Sequence, residues 1–148
     1  MTGKPEQGAA TGRVPELNWG DAHHTEIQLR YGDLDAMGHV NNARYAEFLE
    51  VARLALARDL GIELAGRSVL ARLELDYVRD IRPGQRVLIE TLVERTGRTS
   101  WTSVSRILAD QVPCAFSRSV VVRVDDQGRP EPLPEELKAQ VAPWLVRP

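Results

Sequence analysis

Between Asn41 and Leu60 apolar side chains recur at helical spacing, and after that stretch the pattern changes to strict alternation. At about 100° per residue, Tyr45, Phe48, Leu49, Ala52, Ala55, Leu56 and Leu60 share one broad face. Arg44, Glu47, Glu50, Arg53 and Arg58 occupy the other half. Ala46, Val51, Leu54 and Ala57 interrupt that polar half, which implies contacts on more than one side of the helix. Gly61 suits the position just past a helix end. Asn41 or Asn42 suits the start, where a side-chain oxygen accepts a first-turn N–H.

Everything downstream reads as strand. Ala71, Leu73, Leu75 and Tyr77 alternate with charged residues, and Val87, Ile89, Thr91 and Val93 continue at period two. The stretch "RPGQ" at Arg82 marks a turn, and "RTGRTS" from Arg95 marks a hairpin around Gly97. Two further strands run from about Thr99 to Leu108 and from Ala115 to Val124, with a short terminal helix before Pro143. Upstream, Ile27, Leu29 and Tyr31 alternate with polar residues and define a first strand from Thr25. One helix after one strand, followed by four successive strands, predicts an α+β fold. Its antiparallel five-stranded sheet would wrap around one long central helix. A single such layer leaves sheet surface and edges uncovered, so a homodimer or homotetramer is expected.

The chain has 148 residues, the size of one domain. Residues 1–21 are rich in Gly, Pro, Thr and charge without a period and read as a flexible tail; residues 22–148 form the single domain. A net charge of −2 gives no basis for nucleic-acid or anionic-membrane binding. No apolar leader or run of about 18 apolar residues is present, which places the protein in the cytoplasm. The single cysteine, Cys114, makes no disulfide framework and reads as a packed residue. The segment "DAHHTE" reads as a surface loop. Its adjacent His23 and His24 lack a third ligand at suitable spacing, so no metal or other cofactor is implied.

The chemistry gathers just before the helix, in "RYGDLDAMGHVNNARYAEF" from Arg30 to Phe48. Asp33 and Asp35 are two apart. If both were buried, repulsion would raise one pKa, so one should hold the loop while the other faces a cleft. Gly38 permits a backbone conformation closed to other residues. A helix beginning at Asn41 or Asn42 presents unpaired N–H groups and partial positive charge. Those groups would stabilise the oxyanion of an acyl-transfer transition state. An ionised Asp35 beside them could attack a carbonyl or take a proton from water. The same residues also suit plain capping and turn formation.

The stretch "RYGDLDAMGHVNNARYAEFLEVAR" resembles the signature of hot-dog fold acyl-CoA thioesterases of the 4-hydroxybenzoyl-CoA thioesterase-like family. The order of elements from Thr25 to Pro134 is similar too. The resemblance implies that Asp35 is the catalytic carboxylate and that the N–H near Asn42 polarises the thioester carbonyl. It implies that His39 and Asn41 shape the site and that Tyr45 belongs to the substrate-binding motif. Plant acyl-carrier-protein thioesterases are similar in this motif but carry asparagine where this chain has Met37, so that side chain's role does not transfer. In such relatives the site lies between subunits, and the loop after the third strand approaches the nucleotide of CoA. Here that loop holds Arg95, Arg98 and Ser100, and guanidinium pairs well with phosphate. The resemblance therefore implies hydrolysis of an acyl-CoA or an acyl-carrier-protein thioester. A hot-dog enoyl-CoA hydratase or dehydratase, pairing Asp35 with His39, is the alternative enzyme. A non-catalytic acyl-CoA-binding protein is the third reading.

Overall fold

A computed structural model describes residues 16–61 and 67–147. Most of the expected tail, residues 1–15, lies outside the described residues. Five strands form one antiparallel sheet: β1 (His23–Ile27), β2 (Ser68–Tyr77), β3 (Val87–Thr96), β4 (Ser100–Ala109) and β5 (Val112–Arg123). Their order across the sheet is β1-β3-β4-β5-β2, so β1 and β2 are the edges. Helix α1 (Asn42–Asp59) lies on one face, and a short α2 (Glu135–Gln140) follows the last strand. This is the expected hot-dog architecture, a sheet curled around one main helix.

The first strand sits earlier than the alternation suggests. The β1–β3 ladder runs from His23 opposite Thr91 to Ile27 opposite Val87 and then ends. Leu29 still packs against the core, but Tyr31 lies in a 3-10 turn and is 94% exposed, not inward. The supposed surface loop at His23 is strand: His23 is buried and its Nε2 lies 2.6 Å from Asp59 Oδ2 at the far end of α1. Trp144 meets the His23 ring edge-on at 5.6 Å. Trp19–Asp21, expected in the tail, forms a 3-10 turn against β3, with Arg106 stacked 4.8 Å above the Trp19 ring.

Cross-strand partners share a face, so the register defines what lies under the helix. One row across the inner face contains Ile89, Ile107 and Ala115. These join Tyr45, Phe48, Leu49 and Ala52 of α1 in the main core. The next row holds Thr91, Ser105, Ser117 and Leu75; the one after holds Val93, Ser103, Ser119 and Leu73. The hydroxyls in these rows pair with each other: Thr91 with Ser105, and Ser103 with Ser119, each at 2.8 Å. A second apolar cluster, Leu56, Leu60, Val93, Leu133, Leu137 and Val141, closes the far end of the helix. Helix α1 thus packs on β1 and β3. The apolar residues on its polar half divide: Ala57 is buried, while Val51 and Leu54 stay exposed.

Both helix ends follow local chemistry. Gly61, at φ +70°, supplies the left-handed residue after α1. Asn41 is the N-cap, its Oδ1 accepting the Ala43 N–H at 2.9 Å. Replacing Asn41 by Ala removes that acceptor and should cost about 1 kcal/mol. Thermal unfolding should therefore show a midpoint lower by about 2–4 °C.

Candidate active site

The segment between β1 and α1 is held by one buried carboxylate. Asp33 is fully buried. Its Oδ2 accepts the Arg30 N–H at 2.8 Å, and its Oδ1 accepts from Arg30 Nη2 at 2.9 Å. Arg44 Nε stands 3.7 Å from Oδ1. Burial alone would raise this carboxyl's pKa. The hydrogen bonds from Arg30 and the charges of Arg30 and Arg44 outweigh it and hold the group below the usual carboxylate range. Glu47 completes the cluster, bonding Arg44 at 2.6 Å and Arg30 at 3.1 Å.

Beyond Asp33 the chain makes a tight loop. Leu34 bridges Val40, the Asp35 N–H donates to the His39 carbonyl at 2.8 Å, and Gly38 turns at φ +79°. Asp35 is half-exposed. Its Oδ1 accepts the Met37 N–H at 2.9 Å and the His39 N–H at 3.3 Å. Among the described residues Oδ2 has no hydrogen-bond donor. Asp33 is thus the carboxylate that holds the segment, while Asp35 braces the turn with Oδ1 and leaves Oδ2 without a donor among the described residues.

The helix start can be counted donor by donor. The Asn41 N–H goes to the Asp33 carbonyl at 2.8 Å, Ala43's to Asn41 Oδ1, and Arg44's to the Asn41 carbonyl at 2.9 Å. The Asn42 N–H, on an exposed residue, has no acceptor among the described residues. An open amide with the helix dipole behind it stands seven residues after Asp35, across the small loop. Such a pair can bind and polarise a carbonyl and present a carboxylate to it.

The β2–β3 connection is locked onto this loop. The Val40 N–H donates to the Ile81 carbonyl at 2.9 Å. His39 Nε2 lies 3.4 Å from Asp80 Oδ2, which also accepts from Arg82 Nε at 2.9 Å. The hydrogen bond from Arg82 holds the Asp80 carboxyl below its ordinary pKa, against a smaller opposing effect of burial. Tyr77 of β2 donates to the Asn42 carbonyl at 2.8 Å. The His39 ring thus faces Asp80, whereas Asp35 receives only the His39 backbone amide. The acid–base pair of Asp35 and His39 side chains that a hydratase would need is not formed.

A family profile described as the thioesterase-like superfamily matches residues 29–141. The chain belongs to this superfamily. It is similar to the chloroplastic acyl-acyl carrier protein thioesterase ATL3 of Arabidopsis thaliana, at 25% identity over 83% of this chain and 69% of that one. It is similar to a 1,4-dihydroxy-2-naphthoyl-CoA hydrolase of Synechococcus elongatus, at 31% identity over 74% of this chain and 88% of that one. A solved thioesterase from Thermus thermophilus, complexed with coenzyme A and zinc, superposes with a TM-score of 0.75. It shares 32% identity and covers 80% of this chain and 90% of its own. This member of the superfamily is a thioester hydrolase with the hot-dog fold.

Within one chain of this thioesterase, the expected site residues fall into three places. Asp35, His39, Asn41 and Asn42 converge on the loop and helix start. Tyr45 is instead 1% exposed, with its ring 4.9 Å from that of Tyr77 and its hydroxyl directed at the Arg79 carbonyl at 3.5 Å. Burial pushes its pKa up to about 12. Arg95, Arg98 and Ser100 lie at the β3–β4 hairpin, where the Gly97 N–H donates to the Ser100 carbonyl. That hairpin neighbours the C-terminal half of α1, at the opposite end from Asn42. Among the described residues no group of three His, Cys, Asp or Glu side chains is placed to hold a metal ion. Sequence reasoning misses Asp80, whose link to His39 spans 41 residues of chain and leaves no local pattern.

Asp33→Asn keeps the shape but loses the charge held by Arg30 and Arg44, and should cost about 2 kcal/mol at neutral pH. Because the folded carboxyl titrates below the unfolded one, its stabilisation is complete above about pH 4 and disappears as pH falls through the folded value. Urea unfolding of both proteins should show a gap that is constant near neutrality and closes in acid.

Proposed function

We propose that this thioester hydrolase acts on acyl-CoA, with Asp35 and the Asn42 amide as its catalytic pair. What supports the reading is the Asn42 N–H, which has no acceptor among the described residues, seven residues along the same segment from a carboxylate whose Oδ2 has no donor among them. The thioester carbonyl accepts from Asn42 N–H. Asp35 then takes one of two routes. As a general base it removes a proton from water, which adds to the carbonyl carbon. As a nucleophile it adds directly, expels the thiolate and leaves an anhydride that water opens. In both routes the oxyanion forms against Asn42 N–H, and the CoA thiolate departs and is protonated. Asn41 holds the helix start, and His39, oriented by Asp80, borders the thioester. Tyr45 backs the site from the core.

A second copy completes the site. Strand β2 is a free edge carrying exposed Val69, Leu70 and Tyr77, and such an edge invites pairing. Its Tyr77 binds the Asn42 carbonyl, so a copy docked on β2 would abut the helix start. Arg95, Arg98 and Ser100, remote from Asp35 within one chain, would come from that copy to meet the CoA phosphates. Acyl carrier protein presents the same thioester and is the other donor for this site.

Asp35→Asn should lower kcat for acyl-CoA hydrolysis by about 100-fold or more with the circular dichroism spectrum unchanged. Full activity in a folded variant would contradict the assignment. Charging the β2 edge with Val69→Lys and Leu70→Lys should give a monomer in sedimentation that has lost hydrolysis. A wild-type chain that is monomeric and fully active would exclude the shared site.

A further inference from the structure

Most charged residues of α1 are paired. Arg44 and Glu47 join the Asp33 cluster, and Asp59 pairs with both Arg58 and His23. Arg53 is different. Its guanidinium has no hydrogen bond or ion pair among the described residues, and Glu50 is the only charge acting on it at a distance. It is not a solvated surface residue either. Leu49, Arg53 and Ala57 lie on one i, i+4 line of the helix, and both neighbours on that line are buried. Arg53 is half-buried with them and lines a crevice with Leu56, Leu60, Val93, Trp101 and Ser103.

Arginine cannot escape such a place by losing its proton. Burial pushes its pKa down, yet the group stays charged at any pH at which proteins fold. A desolvated cation without a counter-ion costs stability unless an anion reaches it. The crevice walls are mainly apolar, from Leu56, Leu60, Val93, Trp101 and Leu137, so they offer the guanidinium no counter-charge. Ser103, which lines the same crevice, bonds Ser119, and these hydroxyls form a row across β4 and β5 beneath the helix. The crevice has a volume of only about 20 Å³, room for one water. An anion larger than a water could therefore reach Arg53 only from the mouth of the crevice.

The position along the helix sets the length of what reaches it. Asn42 and Arg53 are three turns apart on α1, about 16 Å along the axis. Helical side chains lean toward the N-terminus, which shortens that gap. The separation of Asn42 from Arg53 is the span of a medium-length acyl chain, not of a short one.

We propose that Arg53 binds an anionic group at the distal end of the acyl chain, so that the preferred substrates are medium-chain ω-carboxyacyl thioesters. This rests on the Asp35–Asn42 reading of the site and names the substrate class for it. The test is thiol release by the full-length chain from adipyl-, suberyl- and sebacyl-CoA, each against hexanoyl-, octanoyl- and decanoyl-CoA. CoA is common to every pair, so the ratio of kcat/KM isolates the acyl terminus. The wild type should favour the carboxylated member by about tenfold or more for at least one length. Arg53→Met keeps the apolar stem and should bring that ratio to about one, and Arg53→Lys should restore part of it.

A wild-type preference for methyl-ended chains would overturn the proposal, and that result needs no variant. An equal loss on both series in Arg53→Met would do the same by assigning Arg53 to the CoA phosphates. So would a change of oligomeric state in that variant, which would give Arg53 a partner on a second copy. Hydrolysis of both series without preference removes this inference and leaves the thioesterase site standing. No thiol release from any acyl-CoA, aryl-CoAs included, or from acyl-carrier-protein thioesters removes both.

Discussion

The buried carboxylate of Asp33 is the interaction on which the site depends. Its side chain gathers Arg30 from the end of the first strand segment and Arg44 from the first turns of α1, and its carbonyl takes the Asn41 N–H. One residue thereby fixes where the chain leaves the sheet and where the helix begins. Between those two points only a short bridged loop fits, and Asp35 sits in it. A charge buried this way is weak evidence for net stability, because desolvation offsets much of the attraction. Its value lies in geometry: without it, neither the orientation of Asp35 nor the exposure of the Asn42 amide would be determined.

The sheet beneath shows a change of character along the helix. Large apolar residues face the first half of α1, where Tyr45, Phe48 and Leu49 meet Ile89 and Ile107. Further along the sheet the rows change to small hydroxyl residues, Thr91, Ser105 and Ser117, then Ser103 and Ser119. The hydroxyls satisfy each other at 2.8 Å, so they do not penalise burial.

Periodicity makes the helix and the last four strands legible, because each is long enough for a repeat of 3.6 or 2 to stand out. It misplaces the first strand, because alternation persists from Ile27 to Tyr31 while its partner runs out: the ladder stops at Val87. Pattern records which way side chains point, not whether a neighbouring strand exists. His23 reads as a surface residue because its acceptor, Asp59, lies at the other end of α1. The candidate site is legible as a motif, through the crowding of Asp35, His39, Asn41 and Asn42 and its likeness to a known family. The distinct tasks of Asp33 and Asp35 are partly readable from their spacing. What no local pattern carries is the hydrogen-bond count that leaves the Asn42 N–H without an acceptor among the described residues, and the Asp80 contact to His39; the burial of Tyr45 follows from its place on the apolar face of the helix, not from the motif.

The central claim is geometric, and a bound ligand tests it most directly. A crystal structure with an acyl-CoA analogue whose thioester sulfur is separated from the carbonyl by a methylene would hold the carbonyl in place without turnover. The account requires the carbonyl oxygen about 2.9 Å from the Asn42 nitrogen. It also requires the outward oxygen of Asp35, or one water bound to it, about 3–3.5 Å from the carbonyl carbon. A carbonyl seated away from the start of α1, or an Asp35 with both oxygens tied to its own loop in the complex, would contradict it.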